Sequence, residues 1–133
     1  MAGGKGRQLY SDKKGKITVN RCSVSLDGSR IYITNYTHHQ LVTLNKDGTT
    51  LSTLTHPKLR HQVTPHVTAQ GHVFVTCWGR DAVVQVTEKN NQQTVTTLAG
   101  ENNGLTPFSL CFNSNGSLVI GQVDDDIVEL KLK

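Results

Sequence analysis

Short apolar stretches separated by polar, glycine-bearing breaks recur along the chain, and their periodicity is that of strands. IYITNY (31–36), VFVTCW (73–78) and LVIGQV (118–123) are nearly continuous, which suits a strand buried on both faces between packed sheets. QLVTL (40–44), AVVQV (82–86) and DIVELKL (126–132) alternate, as a half-buried strand does. A short strand precedes each member of the first set and carries Val24, Val67 or Phe112, four residues ahead of Gly28, Gly71 or Gly116. The turns between read LDG, AQG and SNG, each closing on a glycine that can take φ > 0. TTLSTL (49–54) and QTVTTL (93–98) supply a fourth strand. The turn glycines lie 43 and 45 residues apart, so the pattern predicts repeated antiparallel four-stranded meanders of about 44 residues.

That period and strand number match a β-propeller blade, which cannot bury both faces without neighbours. The third copy, from Ser109, shows three strands, while Lys16-Ile17-Thr18-Val19 precedes the first copy where a preceding blade's fourth strand would sit. Three blades closing on themselves would diverge too steeply to fill the wedges between them at normal packing density. The expectation is therefore an all-β fold with a basic segment at 1–16 and three blades at about 17–60, 61–104 and 105–133. Two chains would pair as a homodimer into a six-bladed ring, the N-terminal strand of each completing the partner's last blade. The C-terminal half of a longer propeller is the alternative.

Composition agrees with this. Thr, Val and Ile number 16, 14 and 5 against 4 Ala, and 133 residues suit one domain rather than two. No apolar run approaches the ~20 residues that span a bilayer, and the basic N-terminus lacks a signal-like apolar core, so a soluble chain without a membrane partner is expected. Cys22, Cys77 and Cys111 are widely spaced with no C-x-x-C pair, which points to a reducing, cytoplasmic setting. The net charge of +4 divides unevenly, +7 over residues 1–60 and −3 over 61–133. Lys5, Arg7, Lys13, Lys14 and Lys16 supply half of the basic residues in the first part, without the interleaved aromatics of a nucleic-acid motif.

The stretches SVSLDGSRIYITNY, HVTAQGHVFVTCW and TPFSLCFNSNGSLVIG resemble the NHL-repeat propellers, whose blades read roughly P-x-G-[IV]-A-V-D-x-x-G-x-[IV]-Y-V-x-D-x-x-N-x-R-[IV]. The chain is similar to the C-terminal NHL region of invertebrate, mollusc-like TRIM proteins, down to DDDIVELKLK. The resemblance implies a recognition module that binds a protein or single-stranded RNA on its loop face. The family's Asp at the end of the second strand is replaced by Asn35, Cys77 or Gln122, and no RING, B-box or coiled coil accompanies the repeats.

In such a meander the loops from strand two to strand three and from strand four to the next blade share one face. Here they are NYTHHQ (35–40), CWGRDA (77–82) and GQVDDD (121–126), with THPKLRHQVT (55–64) and AGENNGLTP (99–107). Candidate ligand-binding residues are Asn35, Tyr36, His38, His39, Lys58, Arg60, Trp78, Arg80, Gln122 and Asp124. Tyr36 and Trp78 fall at equivalent blade edges and could stack on a base, a sugar or a peptide side chain. Together with Asn35, Gln122, Asn102 and Asn103 they also suit a carbohydrate-binding lectin, the alternative function. Six histidines, His38, His39, His56, His61, His66 and His72, cluster within 35 residues. Zinc-binding lyases of NHL fold make a metal worth testing, yet there is no H-E-x-x-H and no acidic or thiol partner at fixed offset, so neither metal nor cofactor is expected. No G-x-S-x-G elbow, phosphate-binding glycine loop or spaced carboxylate pair appears, and the expectation is no enzyme.

Overall fold

The computed structural model describes residues 6–10, 21–35, 38–59, 63–77, 82–90, 92–100, 107–113, 117–122 and 127–131. Its strands are β1 (Arg21–Val24), β2 (Arg30–Asn35), β3 (Gln40–Asn45), β4 (Thr50–Thr55), β5 (Val63–Val67), β6 (Val73–Cys77), β7 (Ala82–Lys89), β8 (Gln92–Gly100), β9 (Pro107–Asn113), β10 (Ser117–Gln122) and β11 (Ile127–Lys131). They form antiparallel sheets in the orders β1-β2-β3-β4, β5-β6-β7-β8 and β9-β10-β11. These are the three meanders that the repeats predict. The strand expected at 16–19 lies outside the described residues.

The turn chemistry is as the glycines imply. Gly28 and Gly71 hold φ at +75° and +86°. Each donates its N–H to the carbonyl three residues back, Ser25 and Thr68, over 2.9 Å. The hydroxyls of the same two residues accept from the amides of Arg30, five residues on, and His72, four residues on, so the same bond closes two turns that differ by one residue. The β3-β4 turn uses a different device, with Asn45 Oδ1 accepting from the amides of Asp47 and Thr49 at 2.9 Å and Gly48 at φ +89°. The β7-β8 hairpin runs further than AVVQV and QTVTTL suggest, to the pair Lys89↔Gln92. Asn90 at φ +54° allows the tight connection, since Asn tolerates the left-handed region.

Strand alternation gives every sheet two faces. The face carrying Ile31, Ile33, Val42 and Leu44 in the first sheet is termed the front. In the second sheet the matching front residues Val73, Val75, Val84 and Val86 pack on the back of the first, against Tyr32, Leu41 and Leu54. Phe74, Val83 and Leu98 on the back of the second sheet meet the front of the third, at Leu118, Ile120 and Leu130. Leu59, between β4 and β5, is fully buried in the first junction. Tyr10 packs on the front of the first sheet, against Ile33, Val42 and Leu44. The continuous apolar run of β6 is buried between two neighbouring sheets, whereas that of β2 has the second sheet on its back and, among the described residues, Tyr10 on its front. No helix among the described residues is long and apolar enough to cross a membrane.

Candidate functional site

The blade register places the ends of β2, β6 and β10 at one edge of the sheets, so Asn35, Cys77 and Gln122 occupy equivalent positions. Around Asn35 the chain builds a compact polar corner. Buried Asn35 accepts the His38 amide on Oδ1 at 3.2 Å. His39, held at φ +57°, offers its carbonyl to the His56 amide at 2.9 Å, which ties the β2-β3 loop to the segment after β4. A non-glycine residue in that left-handed region is strained unless its surroundings hold it there. His56 Nδ1 accepts the Lys58 amide at 3.1 Å, so the ring's hydrogen sits on the other nitrogen when it is neutral. Burial, and secondarily the Lys58 charge, lower the His56 pKa below its usual value.

Two polar atoms in this corner are left over. His38 Nε2 and His39 Nδ1 are buried from solvent and have no hydrogen-bond partner among the described residues. Lys58 extends sideways, its ammonium 2.5 Å from the Thr97 hydroxyl of β8 in the neighbouring blade. The structure therefore brings together Asn35, His38 and His39, with His56 as a member that was not among the candidates. Gln122 shares their edge on the third sheet. Tyr36, Arg60, Trp78, Arg80 and Asp124, and with them Asn102 and Asn103, lie outside the described residues.

Two hollows lie elsewhere. A cleft of about 380 Å³ runs between the β1-β2 and β5-β6 turns, lined by Ser25, Asp27, Arg30, Tyr32 and Gln70 among others. Asp27 there is held down to about 2 by the Ser29 amide, then by the hydroxyls of Ser29 and Ser25. All three bonds fall on Oδ1 and close the turn. A second cavity of about 220 Å³ lies between the second and third sheets, lined by Ser23, His66, Phe74, Leu110, Phe112 and Leu118 among others. His66 Nε2 is 3.2 Å from Thr76 Oγ1. Repeat alignment could have flagged it, because His66 shares its blade position with Ser23 and Cys111, whereas counting histidines along the chain does not separate it from its neighbours. Among the described residues no three His, Cys, Asp or Glu side chains are placed to hold a metal ion.

Burial lowers the His66 pKa below its ordinary value of 6.5. Between the lowered folded value and 6.5 the unfolded chain binds more protons, so stability is full above 6.5 and declines as pH falls below it. Denaturant midpoints measured at pH 7.5 and pH 5.5 are expected to fall with acidification in the parent. The difference should shrink in His66→Gln, which keeps a polar group near Thr76 without a proton to gain. An equal pH response in the two proteins would remove His66 as its source.

No protein-family model matches the chain, and no curated protein matches it by sequence. Solved structures do. Virginiamycin B lyase from Staphylococcus aureus is similar at a TM-score of 0.62 and 19% identity, over 86% of this chain and 41% of that one. A protein of unknown function from Bacteroides caccae gives 0.61 and 16% over 86% of this chain and 46% of its own, and hydrazine synthase of Kuenenia stuttgartiensis gives 0.62 and 16% over 89% and 33%. The chain thus spans less than half the length of these structures. At such identity the likeness is one of fold, and the fold is that of a β-propeller.

One expectation from the sequence is overturned by this comparison. The sequence carries no linear catalytic motif and so predicts no enzyme, yet the structures similar to this chain include virginiamycin B lyase and a streptogramin B lyase, enzymes with the same fold. The physical reason is that a propeller assembles a site from loops of different blades. No contiguous motif need mark it, and motif absence carries no weight against catalysis.

Proposed function

We propose that this chain is a recognition domain whose loop face, at Asn35, His38, His39 and His56, binds an extended segment of a partner protein. The observation that carries the reading is the pair of buried imidazole nitrogens, His38 Nε2 and His39 Nδ1, that have no hydrogen-bond partner among the described residues. A buried polar atom without a partner costs about 1–3 kcal/mol, which a ligand returns by supplying the missing hydrogen bond. Neutral imidazole offers one donor and one acceptor, matching the N–H and C=O of a peptide backbone. The NHL-like spacing of the blades supports the same class of ligand. Single-stranded RNA is less favoured because Lys58, the described cation nearest this corner, is engaged with Thr97. The exposed thiols of Cys22 and Cys111 suit a reducing, cytoplasmic setting.

Selection of a random-peptide library on the immobilised protein tests this. An enriched peptide is expected to bind His39→Ala about tenfold more weakly, equal to about 1.4 kcal/mol. Gln70→Ala, on the turn at the opposite edge of the sheets, should leave the affinity unchanged. An oligouridylate run in parallel serves as the RNA arm. Failure to enrich any peptide, with oligouridylate binding that collapses as salt rises, would replace the protein ligand with RNA.

A further inference from the structure

The cavity between the second and third sheets shares no residue with the polar corner at Asn35, and its walls are of two kinds. Phe74, on the back of the second sheet, faces Leu110, Phe112 and Leu118 on the front of the third, and these four make an apolar wall. Two of them are rings, Phe74 and Phe112, set nearly parallel at 20° with centroids 6.4 Å apart. Phe112 is only partly buried, so the hollow opens toward solvent. His66, Ser23 and Thr68 supply the polar side. In the blade register His66 and Phe112 stand where the preceding junction has Ser23 and Val67, so neither the imidazole nor the second ring belongs to every junction.

Size, charge and hydrogen bonding each narrow what fits. At about 220 Å³ the cavity exceeds the roughly 150 Å³ in which an apolar protein cavity accepts benzene. It falls short of the about 300 Å³ at which sites for drug-sized ligands begin, so a single substituted ring suits it. None of the described lining residues is charged at neutral pH, because burial lowers the pKa of His66, the one titratable group among them, below 6.5. A charged ligand would give up its hydration there with no opposite charge to replace it. His66 Nε2 is paired with the buried Thr76 hydroxyl at 3.2 Å, which fixes the ring and leaves Nδ1 as the nitrogen available to a ligand. Nδ1 is a donor or an acceptor according to which partner holds the hydrogen of that pair, and a ligand hydroxyl suits both cases. We propose that this cavity binds a small uncharged phenol, its ring against Phe74 and Phe112 and its hydroxyl on His66. Ring contacts with the two phenylalanines add to what burial of the ligand's apolar area contributes, which favours an aromatic over an aliphatic alcohol.

Titration of p-cresol into the whole chain at neutral pH, followed by calorimetry and by amide NMR shifts, tests the site. Saturable one-to-one binding is expected, with the shifts concentrated at His66, Thr68 and Leu110. p-Xylene keeps the shape and lacks the hydroxyl, and should bind about fivefold more weakly, the worth of one hydrogen bond. p-Toluate adds a charge and should not bind. His66→Leu is expected to weaken p-cresol by a similar factor while leaving p-xylene unchanged. The comparison of the three ligands on the parent protein needs no variant, so it decides the matter even where His66→Leu fails to fold. p-Xylene binding as tightly as p-cresol would overturn the pairing of the hydroxyl with His66, and p-toluate binding in preference to p-cresol would overturn an uncharged ligand. No saturable binding of p-cresol, or shifts gathered at His38 and His39 instead, would overturn the site itself.

Discussion

Replacing Phe74 with alanine is expected to remove about 3–5 kcal/mol of unfolding free energy, the range found when a fully buried aromatic is truncated. Phe74 sits in β6, on the back of the central sheet, with none of its side chain exposed. Its ring stacks on Phe112 of β9, with centroids 6.4 Å apart and planes at 20°. The His72 ring lies T-shaped to it, with centroids 6.5 Å apart and planes at 80°. Truncation removes the filler between the second and third sheets and enlarges the adjoining cavity that Leu110, Phe112 and Leu118 also line. Typical domains hold only about 5–15 kcal/mol in total, so a large part of the margin would go. Urea titration followed by circular dichroism gives the global value. Amide exchange gives the location, with β9, β10 and β11 expected to lose protection before β2 and β3 do. A change below about 1 kcal/mol would show that the second and third blades are not held together by this junction.

The same junction shows why so much of the fold was readable. A strand buried on both faces must be apolar at consecutive positions, so IYITNY announces its place, whereas QLVTL, expected to be half-buried, has Leu41, Val42, Thr43 and Leu44 all buried because both faces of β3 are covered. Ser25 with Gly28 and Thr68 with Gly71 repeat one turn at one spacing, and each turn adopts the positive φ that the glycine permits. What the sequence could not convey is any contact whose partner lies in a different blade. Leu59 stands in a polar loop, THPKLRHQ, and nothing local marks it as buried, since the surface that covers it belongs to β6 and β7 of the next blade. Lys58, its neighbour, reads as a free loop cation until Thr97 is seen beside it.

The candidate site was legible to a similar degree. Asn35, His38 and His39 were singled out by loop position alone, because the register of a meander fixes which loops share an edge. The participation of His56 depends on its amide reaching the His39 carbonyl, a contact between two loops of different length that no spacing rule encodes. The mistaken inference of no enzyme has the same root. Motifs are local, and a propeller's chemistry is distributed over blades.

The Leu9–Tyr10 segment is the clearest case of structure that the repeats do not foreshadow, and Gly48 is the residue that makes room for it. A Cβ added at Gly48 would collide with the Leu9 carbonyl oxygen, and the backbone there already holds φ at +89°. Gly48→Ala is expected to destabilise the chain by about 1–3 kcal/mol, combining the left-handed penalty with displacement of the Leu9 backbone. Gly48→Asn separates the two, since Asn tolerates positive φ but still carries a Cβ. It should recover part of the stability while leaving Leu9 displaced. Displacement would lift Tyr10 from Ile33, Val42 and Leu44, so Gly48→Ala and Tyr10→Ala should be less than additive in a double-mutant cycle. Trypsin cleavage after the exposed Arg7 reports the same event directly, and should be faster in both Gly48 variants than in the parent. Additive stabilities with unchanged cleavage would mean that the Leu9 backbone does not rest on this turn.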